Sequence, residues 1–212
     1  MEFYKGMNNC DNFNNYSNGN DANNLYGLYA KAYFRAASIL ADELLFNGFR
    51  EYEAYPVVFL YRHCLELYLK NILFKSDMLS TLKGVQDMPT AKQRNGHDIV
   101  ALSKDAAAIL HKLFPEDESL EEATQEILRI TSEFEQMAPR ADWYRYPATV
   151  QPKGKAAPAK QSVNLASFHG NPKKLMEKLE TINFGFDIEA DLAKIGCEWE
   201  NAPNETARDA LR

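Results

Sequence analysis

The segment between residues 53 and 76 constrains the fold of this chain more than any other. Its pattern predicts a helix that is apolar around most of its circumference, which is typical of the centre of a bundle. Successive helical residues are about 100° apart, so Arg62, His63, Glu66 and Lys70 share one polar arc of this helix. Because unpaired buried charge is costly, the arc needs partners from elsewhere in the chain.

Two interpretations of the polar arc stay open. In the first, its charged residues form ordinary pairs four residues apart on a strip that faces solvent. In the second, the arc lines a cleft to which other segments contribute. Those segments are the turn at His97 and Asp98, and Arg145 and Tyr146 in the sequence RADWYRYP. For Asp98, a helix cap is the favoured role.

Four further stretches with helical periodicity flank this segment. They cover residues 24–47, the region from the GHD turn at 96–98 to Pro115, residues 118–137, and about 171–195. The sequence therefore predicts an all-α, up-and-down helical bundle of about five helices with two long loops. We expect flexible tails at 1–23 and 201–212 and a bundle over 24–200, with its longest loop at 139–170.

Local signals support these helices. The first shows an apolar stripe, and the fourth and fifth carry start signals: a capping box from Ser119 to Glu122, and proline after Asn171. The stripe of the first helix consists of Leu25, Leu28, Ala32, Ala36, Ile39 and Leu40.

Composition excludes several classes of function. The net charge of −6 argues against non-specific binding of nucleic acid, which requires an excess of Lys and Arg. The three cysteines form no CxxC pair, so we expect a cytoplasmic protein without disulfides. We expect no bound metal, because adjacent His63 and Cys64 diverge by about 100° on a helix, and no cofactor. No run of about 18 apolar residues occurs, so we expect no membrane association.

The motifs FLYRHCLELYLKNIL, GHDIVALSK and RYP, in this order over residues 25–147, resemble the HEPN superfamily. The resemblance implies an all-α bundle of bacterial defence or toxin–antitoxin systems that commonly forms a homodimer. Active members carry an R-x4-6-H motif that makes a metal-independent endoribonuclease. In this chain no arginine is followed by a histidine at that spacing, so the usual ribonuclease motif is absent.

Our interpretation of the sequence is an HEPN-like protein that binds RNA or a nucleotide in a polar cleft. Arg62, Lys70 and Arg145 would face phosphate, and Glu66 would orient one of these cations. His63 or His97 would supply a catalytic group that titrates near neutral pH. Asp98 and Tyr146 complete the expected binding residues. A divergent ribonuclease stays open on this interpretation.

The alternative belongs to another class of function. The chain would be a non-catalytic module for dimerisation, through its apolar fifth helix, or for binding a protein partner. The polar arc would then be a structural network that fixes how the helices pack.

Overall fold

The computed structural model of the protein describes residues 25–48, 50–82, 85, 87–88, 96–115, 117–137 and 164–200. Five α-helices follow one another: α1 Leu25–Asn47, α2 Ala54–Leu82, α3 Ile99–Leu113, α4 Glu118–Met137 and α5 Leu165–Glu200, with a 3-10 turn at Glu51–Glu53 before α2. Within these ranges every regular element is helical. The predicted all-α bundle of five helices is therefore confirmed, while the two predicted tails lie outside the described residues.

Helix α2 lies at the centre of the bundle, as its apolar circumference predicts. It packs against α1, α3 and α5. Between Tyr61 and Leu73 every side chain except that of His63 is buried. A helix with apolar residues on nearly all sides reaches this degree of burial only when neighbours cover it all round.

The helices do not simply alternate in direction. α2 is antiparallel to α1, since Ser38 contacts Tyr61 while Gly27 approaches Asn71 further along α2. α5 is parallel to α2: Cys64 contacts Met176, and Lys75 contacts Asp187, each across 112 positions.

Helix α3 is also parallel to α2. Its start contacts Arg62, whereas Phe114, just beyond its end, packs against Phe186 near the level of Lys75. Helix α4 runs opposite to both α3 and α5, because Thr131 bonds to Ser103 and Phe134 packs against Phe168. The bundle thus has α2, α3 and α5 in one direction and α1 and α4 in the other.

Most of the apolar stripe that identifies α1 in the sequence lies on the outer surface of the bundle, although Leu40 packs against the core. The buried positions of this helix are Ala30, Ala37 and Ala41. Leu28 and Ile39 of the stripe are 44% and 60% exposed. Small residues occupy the fully buried positions because they let the two helix backbones approach closely, while the larger apolar residues of α1 are at most partly buried.

Helix α5 begins six residues earlier than Asn171–Pro172 predicts, so the expected loop at 139–170 is too long at its end. Pro172 lies inside the helix. It removes one backbone hydrogen bond, but the additional turns bury Leu165 and Phe168. The ring of Phe168 packs 5.0 Å from that of Phe134. This burial offsets the missing hydrogen bond.

The cap of α4 also differs from the predicted capping box. Asp117, not Ser119, accepts the backbone N–H of Leu120 at 3.1 Å. Ser119 donates its hydroxyl to the Asp117 carboxylate instead. An aspartate at this position is as good a cap as a serine, and its charge also favours the helix N-terminus.

Candidate functional site

Five polar side chains from two helices and one turn meet beside α2. They are Arg62, Glu66 and Lys70 of α2, His97 just before α3, and Glu135 of α4; we call them the ionic cluster. The side chains of the three α2 residues are between 3% and 9% exposed. The polar arc therefore meets partners from elsewhere in the chain and does not form a solvent-facing strip.

Glu66 is the centre of the ionic cluster. Its Oε1 accepts a hydrogen bond from Lys70 Nζ at 2.9 Å and lies 2.8 Å from His97 Nδ1. Its Oε2 lies 3.8 Å from Arg62 Nη1. Burial alone would favour the protonated acid, but the hydrogen bonds from Lys70 and His97 outweigh it and hold the pKa of Glu66 below its ordinary value.

Arg62 joins the cluster to α3 and α4. Its Nη2 donates to the backbone carbonyl of His97 at 3.0 Å and lies 3.6 Å from Glu135 Oε2. The Nε of Arg62 is buried and has no hydrogen-bond partner among the described residues. Burial raises the pKa of Glu135, against the attraction of Arg62 and with a smaller contribution from Asp98.

The charges of the ionic cluster compensate one another. The two cations, Arg62 and Lys70, face the two carboxyl groups of Glu66 and Glu135. Only His97 presents much of its side chain to solvent, at 69% exposure. Because Glu66 holds Nδ1, the Nε2 edge of the imidazole is the part that can meet a solute.

His63 lies against aromatic rings of α1 and α2. Its ring meets that of Tyr33 edge-on at 4.5 Å and stacks on Phe59 at 5.9 Å. The catalytic role of His63 stays a prediction. Around the axis of α2, His63 is about 100° from Arg62. This angle directs its side chain toward α1.

The other predicted site residues divide into two groups. Asp98 caps α3, accepting the backbone N–H groups of Val100 and Ala101 at 3.0 Å each. Arg145 and Tyr146 lie outside the described residues. The binding roles of all three stay predictions.

A second group of polar contacts, between α2 and α5, was not predicted from the sequence. Lys75 Nζ lies 2.6 Å from Asp187 Oδ1, and Asn71 Nδ2 lies 2.5 Å from Asn183 Oδ1. Asn71 and Lys75 are four residues apart, so their shared face could have been recognised. Glu135 of the ionic cluster had no such signal, because nothing in α4 distinguishes it from the other glutamates.

The described residues contain no group of three or more His, Cys, Asp or Glu side chains that could hold a metal ion. Cys64 is buried and its Sγ lies 3.3 Å from Met176 Sδ. Burial raises the pKa of this thiol, which disfavours the reactive thiolate. No helix in the described part of the chain has the length and apolar character needed to span a membrane.

Comparisons with known proteins add no relative. A scan against family models, a search of curated proteins and a search of solved structures each found no match. The resemblance to HEPN proteins accordingly depends on the motifs of the sequence alone.

Proposed function

We propose that this protein is a non-catalytic helical interaction module that associates with a second copy of itself through the outer face of α1. The observation that carries the proposal is a line of exposed apolar side chains on that helix. Leu28, Ile39 and Phe46 are 44%, 60% and 88% exposed. At about 100° per residue, they lie within about 20° of one line.

The same face of α1 also carries opposite charges at matching positions. Arg35 and Asp42 lie within about 40° of the apolar line, and Asp42 is 72% exposed. If two copies pair antiparallel about a two-fold axis between Ser38 and Ile39, Arg35 of each copy faces Asp42 of the other. A two-fold interface requires this kind of self-complementarity.

In this proposal the ionic cluster has a structural role. Arg62 and Lys70 are buried, and both are bound to carboxylates. Either cation would have to give up a buried ion pair to reach a phosphate, which is energetically costly. The cluster connects α2, α3 and α4, so it fixes their relative positions.

The experiment measures the mass of the protein in solution by sedimentation velocity. We expect the wild type to be a dimer. Ile39→Glu should convert the dimer to a monomer, whereas the control Lys173→Glu, at an exposed position of α5, should leave the dimer intact. Arg35→Glu should weaken the dimer, and adding Asp42→Arg should restore it. A wild-type monomer, or a dimer that survives Ile39→Glu, contradicts self-association through α1.

A second candidate function is the binding or cleavage of RNA or a nucleotide by an HEPN-like protein. One observation favours it: a buried carboxylate, Glu66, orients the exposed imidazole of His97. This is the arrangement in which a histidine acts as a general base. The test incubates structured and single-stranded RNA with wild type, His97→Gln and the control His111→Gln. Binding or cleavage that only His97→Gln abolishes would favour this candidate over the first.

A further inference from the structure

An open apolar groove lies at the far end of the bundle from the ionic cluster, between α3, α4 and α5. Its volume is about 480 Å³. Apolar side chains form most of its walls, including Leu110, Phe114, Leu120, Ile182 and Phe186. A groove of this kind buries apolar groups of a partner and so supplies the main favourable free energy of binding.

The apolar surface continues beyond the groove along α5. Ile188 lines the groove and is itself 45% exposed. Leu192 is 58% exposed and follows two turns after Gly185, nearly in line with it. From Lys178 to Leu192 the surface extends for about 21 Å, the length of roughly four helical turns.

The edges of the groove carry more negative than positive charge. Asp117, Glu122 and Glu189 are acidic, and Lys178 is the one basic residue among those lining it. Lys178 lies 3.3 Å from Glu122. Hydrogen bonds from Ser119 and from the Leu120 backbone lower the pKa of Asp117, so this carboxylate stays ionised at neutral pH.

We infer that this groove binds an amphipathic helix of a partner protein, with apolar residues on one face and Lys or Arg on its flanks. Apolar anchors at helical spacing fit an elongated apolar groove, and basic flanks complement its acidic edges. The inference rests on the proposed interaction role and assigns it a second surface, distinct from the outer face of α1.

Gly185 gives a direct way to test the groove. It lies in the lining, and a Cβ added there meets no atom within 4 Å. Gly185→Leu therefore adds an apolar side chain to one wall of the groove at a position with space for the Cβ, and leucine favours a helix more than glycine does. Gly170 of the same helix has equally open space and does not line the groove, so Gly170→Leu is the matched control.

The probes are two fluorescein-labelled helical peptides of about five turns. They share one face of leucines and differ only in their flanks, which are lysine in one peptide and glutamate in the other. Fluorescence anisotropy measures their affinity for the full chain. We expect the lysine peptide to bind at least about tenfold more tightly than the glutamate peptide. Gly185→Leu should weaken it at least about tenfold, and Gly170→Leu should leave it unchanged.

Three outcomes of the peptide experiment overturn the inference. They are equal affinity for the two peptides, unchanged affinity of Gly185→Leu, and no binding of either peptide. If Gly185→Leu dissociates a wild-type dimer, the groove holds a second copy and the inference also fails. The α1 variants test the proposed function separately: loss of peptide binding with the α1-dependent dimer intact counts against the groove alone.

Discussion

Glu66 and His97 are in contact although they lie 31 positions apart in the chain, one buried and the other exposed. The contact places the start of α3 against the middle of α2. It also explains how a central helix can carry charge: each buried charged group of the polar arc finds an opposite charge within 4 Å.

Removing the Glu66 charge should destabilise the protein. Glu66→Gln leaves Lys70 and Arg62 buried without their shared carboxylate, and loss of one partner of a buried ion pair typically costs about 3 kcal/mol or more. Urea denaturation measures the free energy of unfolding. The control Glu133→Gln, in an exposed pair with Arg129, should change it by less than about 1 kcal/mol. Equal effects of the two substitutions would contradict a structural role for the ionic cluster.

The contribution of Glu66 should depend on pH. Its folded-state pKa lies below the ordinary value of 4.5, so the folded state favours the carboxylate. The resulting stabilisation is fully present above pH 4.5 and is lost as the pH falls through the lower folded-state pKa. We expect the difference in unfolding free energy between wild type and Glu66→Gln to be constant from pH 5.5 to 7, within this upper window, and to shrink below pH 4. A constant difference down to pH 3 would be inconsistent with this assignment.

The Tyr61 hydroxyl holds the start of α5 against α1 and α2. It lies 2.7 Å from His169 Nδ1 and 3.2 Å from Ser38 Oγ. Tyr61→Phe removes both hydrogen bonds and should lower the free energy of unfolding by about 1–3 kcal/mol. Tyr29→Phe, at a 53% exposed position, is the control and should have no measurable effect. Thermal unfolding measures the stability of the two variants, and equal stability would contradict this role of the Tyr61 hydroxyl.

The backbone of α1 closely approaches Asn71 of α2 at Gly27. A Cβ there would lie 3.1 Å from Asn71 Nδ2, whereas at Gly170 it would meet nothing within 4 Å. Alanine favours a helix over glycine by about 1 kcal/mol, so Gly170→Ala should stabilise the protein. Gly27→Ala should show no gain or a loss, because Asn71 must move. Equal stabilisation by both substitutions would show that Gly27 is not needed for this close approach.

The Cys64 thiol should be unreactive in the folded protein. Burial raises its pKa, and the sulfur packs against Met176. In a Cys10→Ser/Cys197→Ser background, we expect iodoacetamide to alkylate Cys64 at least about 1000-fold more slowly than in the unfolded chain, because reaction requires opening of the core. Mass spectrometry follows the modification. Rapid alkylation under native conditions would mean that α2 and α5 separate readily.

The helices and the central position of α2 could be predicted because they follow from the period of apolar residues. The polar arc also indicated that partners were needed, and the turn at His97 supplied one. The side-chain contacts could not be predicted in the same way, because they depend on which of two apolar faces of a helix is buried. In α1 the small residues Ala30, Ala37 and Ala41 are buried where the helix packs against its neighbours, which the period alone does not indicate. His63 turned toward Tyr33 for a similar reason: a neighbouring aromatic surface was available.

The relative directions of the helices could not be predicted from the period of apolar residues. A period of about 3.6 residues describes which face is apolar but not which neighbour it meets. The parallel packing of α2 and α5 became clear only from contacts such as that between Asn71 and Asn183. Pro172 was misleading for a related reason, since its local preference for a helix start was outweighed by the burial of Phe168.

The parallel packing of α2 and α5 has a consequence for synthesis on the ribosome. Tyr68 meets Glu180 and Lys75 meets Asp187, each 112 positions later. At ordinary translation speeds, α2 waits on the order of 10 s for the residues that cover one of its sides. During that interval its apolar and charged groups on this side are not covered by α5 and can meet solvent or a chaperone.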